Sequence, residues 1–178
     1  MARFVVFLRG INVGGRIVKK EVLRETFETL GFEDVTTFRQ SGNVIFETCE
    51  SKPEAIREKI EPALRKKLGY EVAVFVQTLP SLRSLVALDP FKGRKDKDAS
   101  FLVTFLRRAP SRLPLDLPAT IPKSTAEVIA ANGSEVFSVT HGGGEGALPN
   151  PFIESKLKTM ATTRNMNVIR DIVEKFGS

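Results

Sequence analysis

Arg3-Phe-Val-Val-Phe-Leu-Arg9, Gly10-Ile-Asn-Val-Gly-Gly15 and the Leu23, Phe27, Leu30 series that follows them decide how this chain folds. The first run is rich in β-branched and aromatic residues, the composition of a strand. The second is a Gly-rich turn. The third spaces apolar residues at i, i+4 and i+7, which marks one face of a helix, and Gly31 stops it. Further along, Val35 to Gln40 and Asn43 to Glu47 read as two strands joined by a tight turn at Ser41-Gly42. Ser51-Lys-Pro-Glu54 has the form of a capping box. It opens a helix with Ile56, Ile60, Leu64 and Leu68 on one face, closed by Gly69, and Pro62 inside it predicts a kink. Val72 to Val76 is a fourth strand.

The order β-α-β-β-α-β is that of a ferredoxin-like unit. The expected class is therefore α+β, with a ferredoxin-like unit over residues 1–78 and a second, related α+β half over 79–178 packed on it. In that second half, Ser81 to Leu88 reads as a helix, Lys92 to Asp98 as a charged loop and Phe101 to Leu106 as a strand. Pro110, Pro114, Pro118 and Pro122 predict an extended connection without regular structure. Glu127 to Ala131 and Glu135 to Thr140 form a hairpin around Asn132-Gly133. Asn150 is the expected N-cap of a helix with Pro151 at its start and Ile153, Leu157 and Met160 on one face. Asn165 is the expected cap of a last helix carrying Val168, Ile169, Ile172, Val173 and Phe176. The predicted order of this half is α-β-β-β-α-α.

Apolar residues make up 42% of the 178, enough for a core, and charged residues 27%, ordinary for a surface in water. No apolar run is long enough for a membrane span or a leader segment, which gives no membrane partner and a cytoplasmic location as the expectations. A single cysteine, Cys49, precludes an intramolecular disulfide and fits a reducing compartment. With one histidine, His141, beside it, the usual tetrahedral zinc sites are out of reach, and no metal or cofactor is expected. The net charge of +6 favours phosphate-bearing partners or simply keeps the chain in solution.

Strands half exposed to water alternate polar and apolar residues. Phe4, Val6 and Leu8 are opposed here by Val5 and Phe7, and Val72, Val74 and Val76 by Ala73 and Phe75. Both faces of the first sheet should therefore be covered. That disfavours RNA binding on an open sheet face, which needs exposed aromatics on the central strands.

In this topology the first and second strands run parallel and end together. Arg9, Gly10, Asn12, Gly14 and Gly15 should then meet Gln40, Ser41, Gly42 and Asn43, although thirty residues separate them. A helix N-terminus adjoins them, with Lys19 adding positive charge, which is what an anion site requires. The competing reading gives the glycines to turn geometry and the polar side chains to local backbone bonds.

Sharper motifs fail. Gly10 to Gly15 is not G-x-G-x-x-G, and Lys123-Ser-Thr125 lacks a phosphate-binding glycine loop. His141-Gly-Gly-Gly144 resembles an esterase oxyanion loop, but no G-x-S-x-G occurs. The basic residues Lys92, Arg94, Lys95, Lys97, Arg107, Arg108 and Arg112 flank one strand, diluted by Asp96 and Asp98 and without interleaved aromatics; a solvated loop is the better account.

Phe7-Leu-Arg-Gly-Ile-Asn-Val-Gly-Gly15 and Gln40-Ser-Gly-Asn-Val44 resemble the mainly bacterial family known as domain of unknown function 1697, and Asp89-Pro-Phe91, Ser155-Lys-Leu157 and Thr163-Arg-Asn165 match its later motifs. The resemblance implies a duplicated α+β fold and no assigned activity. Where the family commonly has Trp after the last Arg-Asn pair, this chain has Met166. Arg164 and Asn165 are accordingly expected to join the surface of the first two turns. The leading expectation is non-catalytic binding of a phosphate-bearing small molecule or nucleotide. An enzyme acting on a phosphorylated substrate in the same pocket, and nucleic-acid binding through the basic loops, stand behind it.

Overall fold

A computed structural model describes residues 1–39, 42–142 and 148–177. It divides into two compact units, Met1–Arg83 with Gly177, and Ser84–Phe176. The division falls inside one helix rather than at residue 78. Two antiparallel sheets and five helices make up the described residues.

The first unit runs β1 (Ala2–Arg9), α1 (Lys20–Thr29), β2 (Glu33–Thr37), β3 (Asn43–Thr48), α2 (Pro53–Leu68) and β4 (Ala73–Thr78), in the predicted order. Its strands lie in the order β2-β3-β1-β4, every neighbour antiparallel. Phe4, Val6 and Leu8 of β1 pack with Leu23 and Phe27 of α1 and Ile56, Ile60 and Leu64 of α2. Phe46 anchors this core, its ring 4.4 Å from Phe32 and 5.5 Å from Phe27. The opposite face carries Val5, Phe7, Ile45 and Phe75, all at most 4% exposed. Since Phe4, Phe7 and Phe46 are all buried, the sheet has no aromatic platform for stacking bases.

One local expectation fails in this unit. Ser51 does not cap α2: Lys52 holds the cap position without a side-chain bond. Instead the Glu50 carboxylate accepts the N–H groups of Ser51 and Lys52 at 2.9 and 3.1 Å. Accepting the Lys52 and Ser51 N–H groups holds the Glu50 carboxyl below its ordinary range. As expected, α2 contains Pro62, runs to Leu68 and ends on Gly69 at φ 80°.

α3 (Leu79–Leu88) spans the boundary between the units. The second unit then has β5 (Ala99–Leu106), β6 (Ala119–Thr120), β7 (Ala126–Asn132), β8 (Glu135–His141), α4 (Asn150–Leu157), β9 (Ala161–Asn165) and α5 (Met166–Phe176). The α-β-β-β-α-α prediction is corrected twice. A short strand, β6, forms within the Pro-rich connection, and β9 separates the last two helices.

β9 exists because its neighbours satisfy its backbone. It pairs with β5 from Leu106↔Ala161 to Leu102↔Asn165. From α4, Glu154 accepts the Ala161 N–H at 2.8 Å and Asn150 donates to the Ala161 carbonyl at 3.2 Å. Asn150 also accepts from the Thr163 hydroxyl, which meets Thr104 at 2.8 Å. Asn150 is thus the first residue of α4 and a clamp on β9, not the N-cap; Pro149 has that place. Met160 lies past the helix and is exposed.

With β9 in place, the order β7-β8-β5-β9 repeats β2-β3-β1-β4. The repeat extends to detail. Phe7-Leu-Arg9 ends β1 and Phe105-Leu-Arg107 ends β5 or follows it. Leu8 N–H donates to the Gly42 carbonyl at 2.8 Å, and Leu106 N–H to that of Ser134 at 2.8 Å. The difference is the first crossover, which is α1 in one unit and the Pro-rich segment with β6 in the other.

Candidate functional site

The end of β1 leads into a loop held at both ends by the core. Ile11 and Val18 are 7% and 8% exposed, whereas every residue from Asn12 to Ile17 is exposed. A tight turn closes its tip: Arg16 N–H donates to the Val13 carbonyl at 3.3 Å, with Gly14 and Gly15 at φ 62° and 80°. Two successive left-handed residues suit glycine because a Cβ would crowd the following carbonyl. Asn12 sits at φ 55°, and its Oδ1 accepts the Val18 N–H at 2.8 Å, which fastens the base of the loop. The Arg16 guanidinium lies over the Tyr70 ring, 4.5 Å from its centre.

Residues 42–43 adjoin the end of β1. Phe7 pairs with Asn43, and the Leu8 N–H bonds to Gly42. Asn43 is 5% exposed and donates through Nδ2 to the Phe38 carbonyl at 3.1 Å, while Phe38 N–H bonds back to the Asn43 carbonyl at 2.9 Å. Arg39, exposed at φ 55°, follows. Gln40 and Ser41 lie outside the described residues.

α1 starts beside the first turn with Lys19 at the N-cap and no side-chain cap bond. Among the described residues its N-cap side chain therefore leaves the first-turn N–H groups uncapped, under the positive end of the helix dipole. Lys20, Glu21 and Arg24 of α1 and Val35, Thr36 and Thr37 of β2 line a cavity of about 250 Å³ there.

The expected site residues thus divide by role. Gly14 and Gly15 shape the tip, and Asn12 and Asn43 bond to the backbone of their own turns. Arg9 is half-buried at the end of β1, and Lys19 is exposed. Gly10 takes φ 87°. Sequence reading missed three cations of this end, Arg16, Lys20 and Arg39; the signal for the first two was present, because residues 9–20 contain four basic side chains and no acidic one.

In the second unit, Asn165 Oδ1 accepts the Asn167 N–H at 2.9 Å, the predicted cap of α5. Arg164 is half-buried, and NH1 donates to the Thr162 hydroxyl at 2.9 Å and the Thr163 carbonyl at 2.8 Å. Burial brings its guanidinium down to about 10. Met166 is fully buried with Ile169 and Ile172, so it fills core. Asp89 pairs with Arg170 at 3.2 Å, and Phe91 packs on Phe101 and Phe137. Cys49 and His141 are exposed; Gly143 and Gly144 lie outside the described residues. Among the described residues, no three His, Cys, Asp or Glu side chains gather to hold a metal, and no helix is long and apolar enough to cross a membrane.

Two antiparallel sheets with a shared strand order and five helices among the described residues define an α+β protein. The chain belongs to the family described as protein of unknown function (DUF1697), whose model matches residues 1–137. Ser155-Lys-Leu157 and Thr163-Arg-Asn165 lie beyond that match. Among solved structures it is similar to conserved bacterial protein SP0830 from Streptococcus pneumoniae, with a TM-score of 0.66 and 21% identity over 100% of this chain and 99% of that one. At that identity the likeness concerns the fold. No curated protein matches.

Proposed function

We propose that the Gly-rich end of the first unit binds a phosphate-bearing small molecule or nucleotide without converting it. The observation that carries this reading is the Gly-rich loop that joins the end of β1 to the start of α1, with four basic side chains and no acidic one over residues 9–20 and residues 42–43 beside the end of β1. Backbone N–H groups at a helix N-terminus and nearby cations favour phosphate oxygens for the same electrostatic reason. Arg9, Lys19 and Lys20 supply charge, while Asn12 and Asn43 keep the turns in shape. The described polar and charged side chains of the two turns are Arg9, Asn12, Arg16, Arg39 and Asn43, and none is a general base at neutral pH, which is why binding is favoured over catalysis. The strand order of the first unit supports a ferredoxin-like reading, with the second unit as a counterpart that lacks the first crossover helix.

A thermal-shift panel of phosphate, nucleotides and short oligonucleotides tests this on wild type, Arg9→Ala and Lys19→Ala. A ligand at a hundred times its Kd adds about 2.7 kcal/mol. At roughly 2–4 °C per kcal/mol, that is a rise of about 5–11 °C. The expected result is a rise with a phosphate compound that both substitutions reduce. A rise equal in all three proteins would move the site elsewhere. Stabilisation by oligonucleotides alone, falling steeply with salt, would give the function to nucleic acid.

A further inference from the structure

Among the described residues, the large apolar side chains left exposed are Met1, Val13, Ile17, Leu88, Leu148 and Met160. Most stand singly, as is ordinary on a protein surface. Val13 and Ile17 differ. They occupy one six-residue loop and are 63% and 85% exposed. The loop is not a loose segment that leaves them out by default. Ile11 and Val18 anchor it in the core, Asn12 fastens its base, and the Val13–Arg16 turn fixes its tip. The chain buries the two apolar residues at the loop's ends and projects the two between them. Arg16 lies between the projecting pair in sequence, and Lys19 and Lys20 follow, with no carboxylate from Arg9 to Lys20.

Resting on the phosphate-site reading, we infer that the ligand is an amphiphilic phosphate, an ester whose apolar group packs on Val13 and Ile17 while its phosphate meets the cations beside them. Charge complementarity selects the anionic end. The exposed aliphatic pair gains from covering by hydrocarbon, which inorganic phosphate, sugar phosphates and other polar esters do not supply. The same chemistry is offered by a free alkyl or aryl phosphate and by an anionic lipid headgroup with its adjoining chain.

The test titrates the full chain with inorganic phosphate, methyl phosphate and hexyl phosphate, using wild type and the Val13→Ser/Ile17→Ser double variant. Both positions are exposed, so the variant keeps the fold. Each methylene that reaches the side chains strengthens binding by about fourfold. The wild type should bind hexyl phosphate at least tenfold more tightly than methyl phosphate. The double variant should lose that gain and keep the affinity for inorganic phosphate. Sedimentation with vesicles of phosphatidylcholine containing one-fifth phosphatidic acid separates the two sources. Binding lost in the double variant assigns the lipid, and no sedimentation beside tight hexyl phosphate binding assigns the free ester. Equal affinity for methyl and hexyl phosphate would overturn this inference and leave the phosphate site standing. No binding of any phosphate, free or in vesicles, would overturn both.

Discussion

Asn12 has two separable roles, which a three-member substitution series can measure. Its backbone is left-handed at φ 55°, and its Oδ1 accepts the Val18 N–H at 2.8 Å. Asn12→Asp keeps the acceptor and tolerates the backbone. Asn12→Gly keeps the backbone at no steric cost and removes the acceptor. Asn12→Ala loses both. A hydrogen bond of this kind contributes about 0.5–1.5 kcal/mol, and a left-handed backbone costs a residue such as Ala, which lacks the short polar side chain of Asn or Asp, roughly 1–2 kcal/mol. The expected losses are near zero for Asp, about 1 kcal/mol for Gly and about 2–3 kcal/mol for Ala. Urea unfolding reads all three, with midpoints that fall in that order and an unchanged m-value. Equal stability of the Gly and Ala variants would refute the backbone part. A loss for Asp as large as that for Gly would refute the hydrogen bond. Phosphate titration adds the functional half, since Asp places a negative charge on the loop. Asn12→Asp should therefore keep its stability and lose anion affinity, an outcome that separates the shape of the loop from its charge.

Ser138 is fully buried, and its hydroxyl has no hydrogen-bond partner among the described residues. Ser138→Ala should therefore raise stability, by about 1 kcal/mol, because an unsatisfied buried hydroxyl costs roughly 1–3 kcal/mol; a lowered melting temperature would mean the hydroxyl is bonded. Pro62 interrupts the bond ladder of α2, and Pro62→Ala should stabilise by about 1–3 kcal/mol, with a drop in helical circular dichroism as the contrary result. Burial raises the Glu135 carboxyl above its ordinary range. The unfolded chain releases that proton first, so stability falls as pH rises from the ordinary carboxylate range through the raised value, and is unaffected by this group below that range. Glu135→Gln should flatten this part of the pH profile and stabilise the protein at pH 7; an unchanged profile would show that Glu135 titrates as an ordinary carboxylate.

Element types in the first unit were legible because they rest on local periodicity. The spacing of Leu23 and Phe27, and of Ile56, Ile60 and Leu64, marks faces that the fold buries. The placing of residues 42–43 beside the end of β1 follows from strand direction once four strands and two helices are in order. β9 was not legible. Ala-Thr-Thr-Arg-Asn is short and polar, and it becomes a strand through pairing with β5 and through Asn150 and Glu154 of α4. Without that strand the second half cannot be recognised as having the strand order of the first.

The sequence by itself determined the α+β class, the order of the first unit, the shape-giving glycines and the positive charge of residues 9–20. These depend on residue type and near spacing. Tertiary structure alone decided how the polar side chains are used. Asn12 and Asn43 bond to backbone in their turns, Asn150 holds a strand across from it, and Glu50 takes the capping role that Ser51 was expected to fill. A hydrogen bond is made where a donor and acceptor come within about 3 Å in the folded chain, and a carboxamide has the same composition whether it faces a ligand or its own backbone.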